Sequence, residues 1–296
     1  MIKIFAKILL LVLPSAIAVI FTIDHYSHGY IDVHYSKIRG EGKSLIIGTS
    51  RASQGIIPEI CAKNIKYEGP LLNFAFTSFN SPYCEAYYNA IQKKMDPIVK
   101  NGIFILEIDP LGLTDNSNEK ASSKLLSQQL LMHGDPNYEY IYRNVNPFYN
   151  LVLKNNEENP YCIAHKNGWV QVKIEQDSLA ATRRGQEKLT AILKEISYCT
   201  LSNSKLHWLE KTISLLKTHG KVILIRMPAW QPIIDVEKNA FPTLNLRIDS
   251  ICANNNVPYF DYTNLNNVYH YIDGNHLNNN SARQFSKELN KLILAL

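Results

Sequence analysis

Five short apolar runs, bounded by turn residues and separated by stretches of helical period, set what this 296-residue chain can become. They are "KSLIIG", "PLLNFAF" (Pro70–Phe76), "IFILEIDP" (Ile103–Pro110), "KVILIRMP" and "VPYFDYT". Each is short and almost wholly apolar, which suits strands covered on both faces. Between them, "SPYCEAYYNAIQKKMDPIVKNG" opens on Ser81-Pro82 and closes on Asn101-Gly102, the start and stop signals of a helix. "SKLHWLEKTISLLKTHG" puts Leu206, Leu209, Ile213 and Leu216 on one helical face before Gly220. "FPTLNLRIDSICANNN" reads as another helix, and "NNNSARQFSKELNKLILAL" as a last one with Ala282, Phe285, Leu289 and Leu292 inward. Strands alternating with helices predict an α/β fold, a three-layer flavodoxin-like sheet of about five parallel strands.

Two regions break the alternation. Lys3 and Lys7 precede an uncharged apolar run to Ile23, and counting from Ile4 the stretch approaches the ~20 residues that span a bilayer. The lysines place this end in the cytoplasm, and Tyr26 and Tyr30 follow as interfacial aromatics. The rival is a cleaved signal peptide with Ala16 and Ala18 as its cleavage site, although the run continues through Val19, Ile20 and Phe21. Either way the domain is exported. The second break, about 111–200, is rich in tyrosine, asparagine and proline and reads as an insertion. The expected organisation is a cytoplasmic stub and transmembrane anchor at 1–23, a linker at 24–43 and one domain at 44–296 around the insertion.

A net charge of +5 with scattered lysines and arginines, and no basic run beyond Arg183-Arg184, argues against a nucleic-acid partner. Cys61, Cys84, Cys162, Cys199 and Cys252 include no C-x-x-C, so zinc-finger spacing is absent; Cys162 and Cys199 are the candidate disulfide of an exported chain. Asp24, His25, His28, Asp32 and His34 fit no standard ligand spacing and read as a solvated juxtamembrane segment. No metal or cofactor is called for. The insertion's aromatics (Tyr138, Tyr140, Tyr142, Phe148, Tyr149, Trp169) read as a minor hydrophobic core, with a glycan groove as the alternative.

Chemistry concentrates where the strands of such a sheet end. The first strand runs into Gly48-Thr49-Ser50-Arg51, which puts a small hydroxyl at that edge. Near the other end of the chain, "YIDGNH" holds Asp273 and His276 three residues apart, before the last helix. A carboxylate so placed fixes the imidazole's tautomer and leaves the other ring nitrogen to act as a base toward a hydroxyl. Ser50 is the hydroxyl at the same expected edge. Arg51 either binds an anionic substrate group or pairs with a neighbouring carboxylate. Arg226, ending its strand, either faces the site or pairs with Asp261 or another edge acid. Asp109 reads as a strand-end support.

"GTS" at 48–50 and "DGNH" at 273–276 resemble the first and last blocks of the SGNH/GDSL hydrolase superfamily, and the likeness extends over roughly residues 43–296 around the insertion. An anchor followed by such a domain is similar to the proteins of teichoic-acid D-alanylation and exopolysaccharide O-acetylation. The resemblance implies Ser50 as nucleophile, His276 as base, Asp273 as its orienter, and an oxyanion hole from the N–H groups of Ser50 and Ala75. It also implies an envelope glycan or acylated carrier as substrate, beside a membrane-bound O-acyltransferase. The middle blocks depart from the family. Ala75 in "NFAFTS" stands near the usual glycine, and "EIDP" puts Asp109 where an asparagine donor is usual, with Asn80 or Arg51 as substitutes. The expected function is serine-dependent acyl transfer or ester hydrolysis outside the cytoplasm. The alternative is a catalytically silent binding or scaffold subunit.

Overall fold

A computed structural model describes residues 2–27, 33–78, 81–116, 137–143, 161–174 and 177–296. Its central sheet has five strands: β1 (Ser44–Ile47), β2 (Leu71–Asn73), β3 (Gly102–Glu107), β4 (Gly220–Arg226) and β5 (Tyr259–Asp261). Their order is β2-β1-β3-β4-β5 and all neighbours run parallel. That is the flavodoxin-like winding, whose order reverses at β1/β3. The five apolar runs are thus these five strands, although "PLLNFAF" stays extended in the ladder only over Leu71–Asn73.

Alternation along each strand divides the core between the two sheet faces. Leu45, Ile47, Phe104, Leu106, Val222 and Leu224 pack on one face, with the inward sides of helices Glu85–Lys94, Asn203–Lys217 and Leu244–Asn255. Ile46, Ile103, Ile105, Ile223 and Ile225 pack on the other, under the short helix Ser50–Gly55 and the long helix Asn279–Ala295. Each such side chain contributes about 1.5–3 kcal/mol on burial. The final helix begins at an Asn278 side chain that accepts from the Ser281 N–H, and it buries Ala282, Phe285, Leu289 and Ile293; Leu292 is only partly covered. In Asn203–Lys217 the predicted face of Leu206, Leu209, Ile213 and Leu216 is the buried one.

Several sequence expectations change. The apolar N-terminal helix runs Ile2–Ser27, past the expected end at residue 23, and its segment Lys3–Thr22 is long and apolar enough to cross a membrane. The segment expected to be a solvated linker folds into the domain: Tyr35–Ile38 is a buried turn of helix. Cys162 and Cys199 are not joined to each other. They lie on separate antiparallel pairs, Cys162–Ala164 with Val170–Val172 and Cys199–Leu201 with Thr114–Asn116. Of the insertion's aromatics, Tyr140 and Trp169 are buried while Tyr138 is exposed; Phe148 and Tyr149 lie outside the described residues. The helix Ser178–Ile196 lies in the stretch read only as an insertion, and the helix Gln231–Ala240 had no counterpart in the sequence reading.

Candidate active site

The turn after β1 is built to stop a strand and start a helix. Thr49 is the N-cap of Ser50–Gly55, with extended φ and ψ, and its hydroxyl accepts from the Arg51 N–H. Gly48 has no side chain because Glu107 fills that space: a Cβ there would sit 2.6 Å from Glu107 Oε2. Ser50, the first helical residue, therefore stands at the carboxyl edge of the sheet. Its N–H has no intrahelical acceptor, as at any helix start, and takes no other acceptor among the described residues.

The opposing loop closes on itself around one carboxylate. Asp273 Oδ1 accepts from the N–H groups of Asn275 (3.1 Å) and His276 (2.9 Å). Gly274 occupies the left-handed region at φ +76°, and its carbonyl accepts from the Trp230 N–H at 2.7 Å. This turn brings His276 Nδ1 to 3.0 and 2.9 Å from the two Asp273 oxygens. A carboxylate only accepts, so Nδ1 carries the hydrogen and Nε2 is left as acceptor. Nε2 lies 2.8 Å from Ser50 Oγ, although 226 positions separate the two residues in the chain. Burial pushes the Asp273 carboxyl up, but the hydrogen bonds and charge of His276 outweigh it and bring its pKa down to about 2.

Of the remaining candidates, Ala75 departs from the sequence expectation, while Asp109 takes the strand-end role expected of it. Ala75 is fully buried and its N–H donates to Asn73 Oδ1 at 3.2 Å, not toward Ser50. Its carbonyl accepts from the buried Nζ of Lys37. Asn80 lies outside the described residues. Arg51 and Arg226, each read as either a substrate contact or a carboxylate partner, are each only 2% exposed and turn inward to a carboxylate. They share the carboxylate of Glu237: Arg51 Nη2 bonds Oε1, and Arg226 Nη2 lies 3.1 Å from Oε2. Arg226 also donates to Asn245 Oδ1 at 3.0 Å, and it is Asn245 that reaches Asp261. Burial alone would lower the Arg51 pKa; the charges of Glu237 and Asp109 more than offset this and hold it a cation. Asp109 supports the strand end, with Oδ2 accepting from the Thr49 hydroxyl (2.8 Å) and Oδ1 from the Leu111 N–H (3.0 Å).

Sequence reasoning missed Glu237, Glu107 and Asn275. Glu237 lies on the overlooked helix Gln231–Ala240, which the proline at its start and the spacing of Ile233, Ile234 and Glu237 would have signalled. Glu107 looked like one polar residue in an apolar strand. Asn275 stood inside the "DGNH" motif without a role. Its Oδ1 accepts from Arg51 Nε (3.0 Å) and Nη2 (2.7 Å).

The arrangement can move a proton from a serine hydroxyl to an imidazole held in one tautomer by a carboxylate. No protein-family model matches the chain, and no curated protein is similar to it by sequence. Among solved structures, an inhibitor-bound aryl esterase from M. smegmatis aligns over 88% of this chain and 99% of its own, at 10% identity and a TM-score of 0.38, a likeness from which neither fold detail nor function transfers.

Proposed function

We propose that the protein is an SGNH-type serine acyltransferase or esterase, anchored by its N-terminal helix with the domain outside the cytoplasm. The observation that carries this reading is the chain Ser50 Oγ–His276 Nε2–Asp273, with contacts of 2.8 Å and 2.9 Å. Ser50 Oγ attacks the carbonyl carbon of an acyl donor while its proton passes to His276 Nε2. The tetrahedral intermediate collapses, the ester C–O bond breaks, and His276 returns the proton to the departing alcohol. The acyl-serine is then attacked by a sugar hydroxyl or by water, with His276 again taking and returning the proton. Lys3 and Lys7 in the first turns of the apolar helix support the outward orientation. The anchorage favours an envelope glycan or an acylated carrier as substrate, with a membrane-bound O-acyltransferase as the partner supplying acyl groups.

A second reading is a binding or scaffold subunit without turnover. The inward-turned Ala75 N–H and the acceptor Asp109 favour it, because the first removes an expected oxyanion donor and the second stands where the resemblance would have placed another. A fluorophosphonate probe on the full chain in detergent separates the two, with Ser50→Ala as control. Labelling of wild type alone is expected. Absence of labelling in folded wild type, with envelope modification retained in Ser50→Ala cells, sinks the enzyme reading.

A further inference from the structure

Resting on the acyl-serine reading, we propose that the side-chain amide of Asn275 is the oxyanion donor of this site, replacing the donor that Asp109 cannot supply. The amide's orientation is determined by its partner. Arg51 Nε and Nη2 both donate to Oδ1, and a guanidinium has no acceptor to offer, so the oxygen faces Arg51 and the nitrogen faces the site. Nδ2 lies 3.4 Å from His276 Nε2, the atom that touches Ser50 Oγ. That is the one contact of Nδ2 among the described residues, and it is long for a hydrogen bond. An amide nitrogen with two hydrogens, 7% exposed as a residue and weakly engaged beside a nucleophile, is donor capacity held in reserve.

The timing fits the reaction. Before attack, Nδ2 faces the lone pair of Nε2. Once Nε2 takes the Ser50 proton, that lone pair is gone and the amide hydrogens are left for the new oxyanion. Together with the uncommitted Ser50 N–H, this makes two donors, one from each end of the chain. It also gives Arg51 its work. Arg51 is a positioning residue: Glu237 holds its guanidinium and its guanidinium holds the amide.

The test compares a p-nitrophenyl ester with its thiono counterpart, using the full chain in detergent. Sulfur accepts hydrogen bonds more weakly than oxygen, so a working oxyanion donor favours the oxygen ester, and losing the donor lowers the ester-to-thionoester rate ratio. Asn275→Asp keeps Oδ1 for Arg51 but replaces the N–H donor by an acceptor; Asn275→Ala removes the donor without adding charge. Both are expected to lose about 10²–10³-fold in kcat, with a reduced rate ratio and an unchanged KM. A merely structural role would lower both rates and leave the ratio alone. Ser50-dependent wild-type turnover with an unchanged ratio in both variants overturns the assignment and leaves the acyl-serine reading standing. Wild type without Ser50-dependent turnover overturns both.

Discussion

Thr49 and Glu107 meet across β1 and β3, where Glu107 Oε2 accepts from the threonine N–H and also faces its hydroxyl. The Thr49 N–H donates to Glu107 Oε2 at 2.8 Å, and the Thr49 hydroxyl oxygen lies 3.2 Å from the same atom. That hydroxyl has one hydrogen, and its shorter contact, 2.8 Å, is to Asp109. The one hydroxyl hydrogen therefore serves Asp109 first, and the contact with Glu107 is the weaker of the two. Burial first, then the charge of Asp109, pushes the Glu107 pKa up to about 8. Below that pKa Glu107 is protonated, and Asp109 and Glu237 are the carboxylates set against Arg51 and Arg226 in one buried cluster under the nucleophile.

A pH-dependent stability follows from this carboxyl. Its folded pKa of about 8 lies above its ordinary 4.5, so over that window the folded state keeps a proton that the unfolded chain has released. The contribution is full below pH 4.5 and is lost as pH rises through about 8, with a slope approaching about 1.4 kcal/mol per pH unit. Glu107→Gln, which titrates nowhere, is expected to remove that slope. Denaturant unfolding of both proteins in detergent from pH 4 to 9 reads it. An equal fall in the two would show Glu107 ionised in the fold.

Asp273 behaves oppositely. Its folded pKa of about 2 lies below its ordinary 3.8, so its contribution to stability is full above pH 4 and is lost as pH falls through about 2. Asp273→Asn still accepts the two loop N–H groups but no longer selects the tautomer with hydrogen on Nδ1. The expected result is a loss of about 10⁴-fold in kcat, with the spectroscopic signature of the fold retained. Turnover within tenfold of wild type would mean that His276 is oriented by something else.

The sheet was legible because strands buried on both faces read as unbroken apolar runs, and β1, β3 and β4 lie at the sheet's centre. Ser50, Asp273 and His276 were legible because a strand-end hydroxyl and a D-x-x-H loop each have a local signature. What supports them was not. Glu107, Glu237 and Lys37 are ionisable residues buried singly within otherwise apolar or helical runs of the sequence, and single positions of that kind carry no period to read. Arg51 illustrates the difference: its place beside Ser50 left a substrate contact and a carboxylate pair equally open, and it is Glu237 and Asn275, 186 and 224 positions away, that turn it inward. Ala75 failed for a similar reason, since an N–H donating to Asn73 two residues earlier is a side-chain detail no pattern reports.

Lys37 supplies the last prediction. Its Nζ, on a residue that is 1% exposed, bonds Ser53 Oγ at 2.8 Å and the Ala75 carbonyl, with the centre of the Phe76 ring 5.4 Å away. It thereby ties the segment after the apolar helix to the Ser50 helix and to the loop beyond β2. No carboxylate pairs with it among the described residues. Burial lowers its pKa from 10.5 to about 7, so over that window the unfolded chain holds a proton that the folded state has given up. Stability from this group therefore rises as pH climbs from about 7 to 10.5. Lys37→Met keeps the length of the side chain and cannot titrate. The variant loses the two hydrogen bonds, about 0.5–1.5 kcal/mol each, and is expected to lack the rise above pH 7 that wild type shows. Denaturant midpoints measured at pH 6, 8 and 10 decide it: parallel curves would mean that Lys37 stays charged inside the fold, whereas curves that diverge as pH rises, wild type gaining on the variant, mark a lysine that folds neutral.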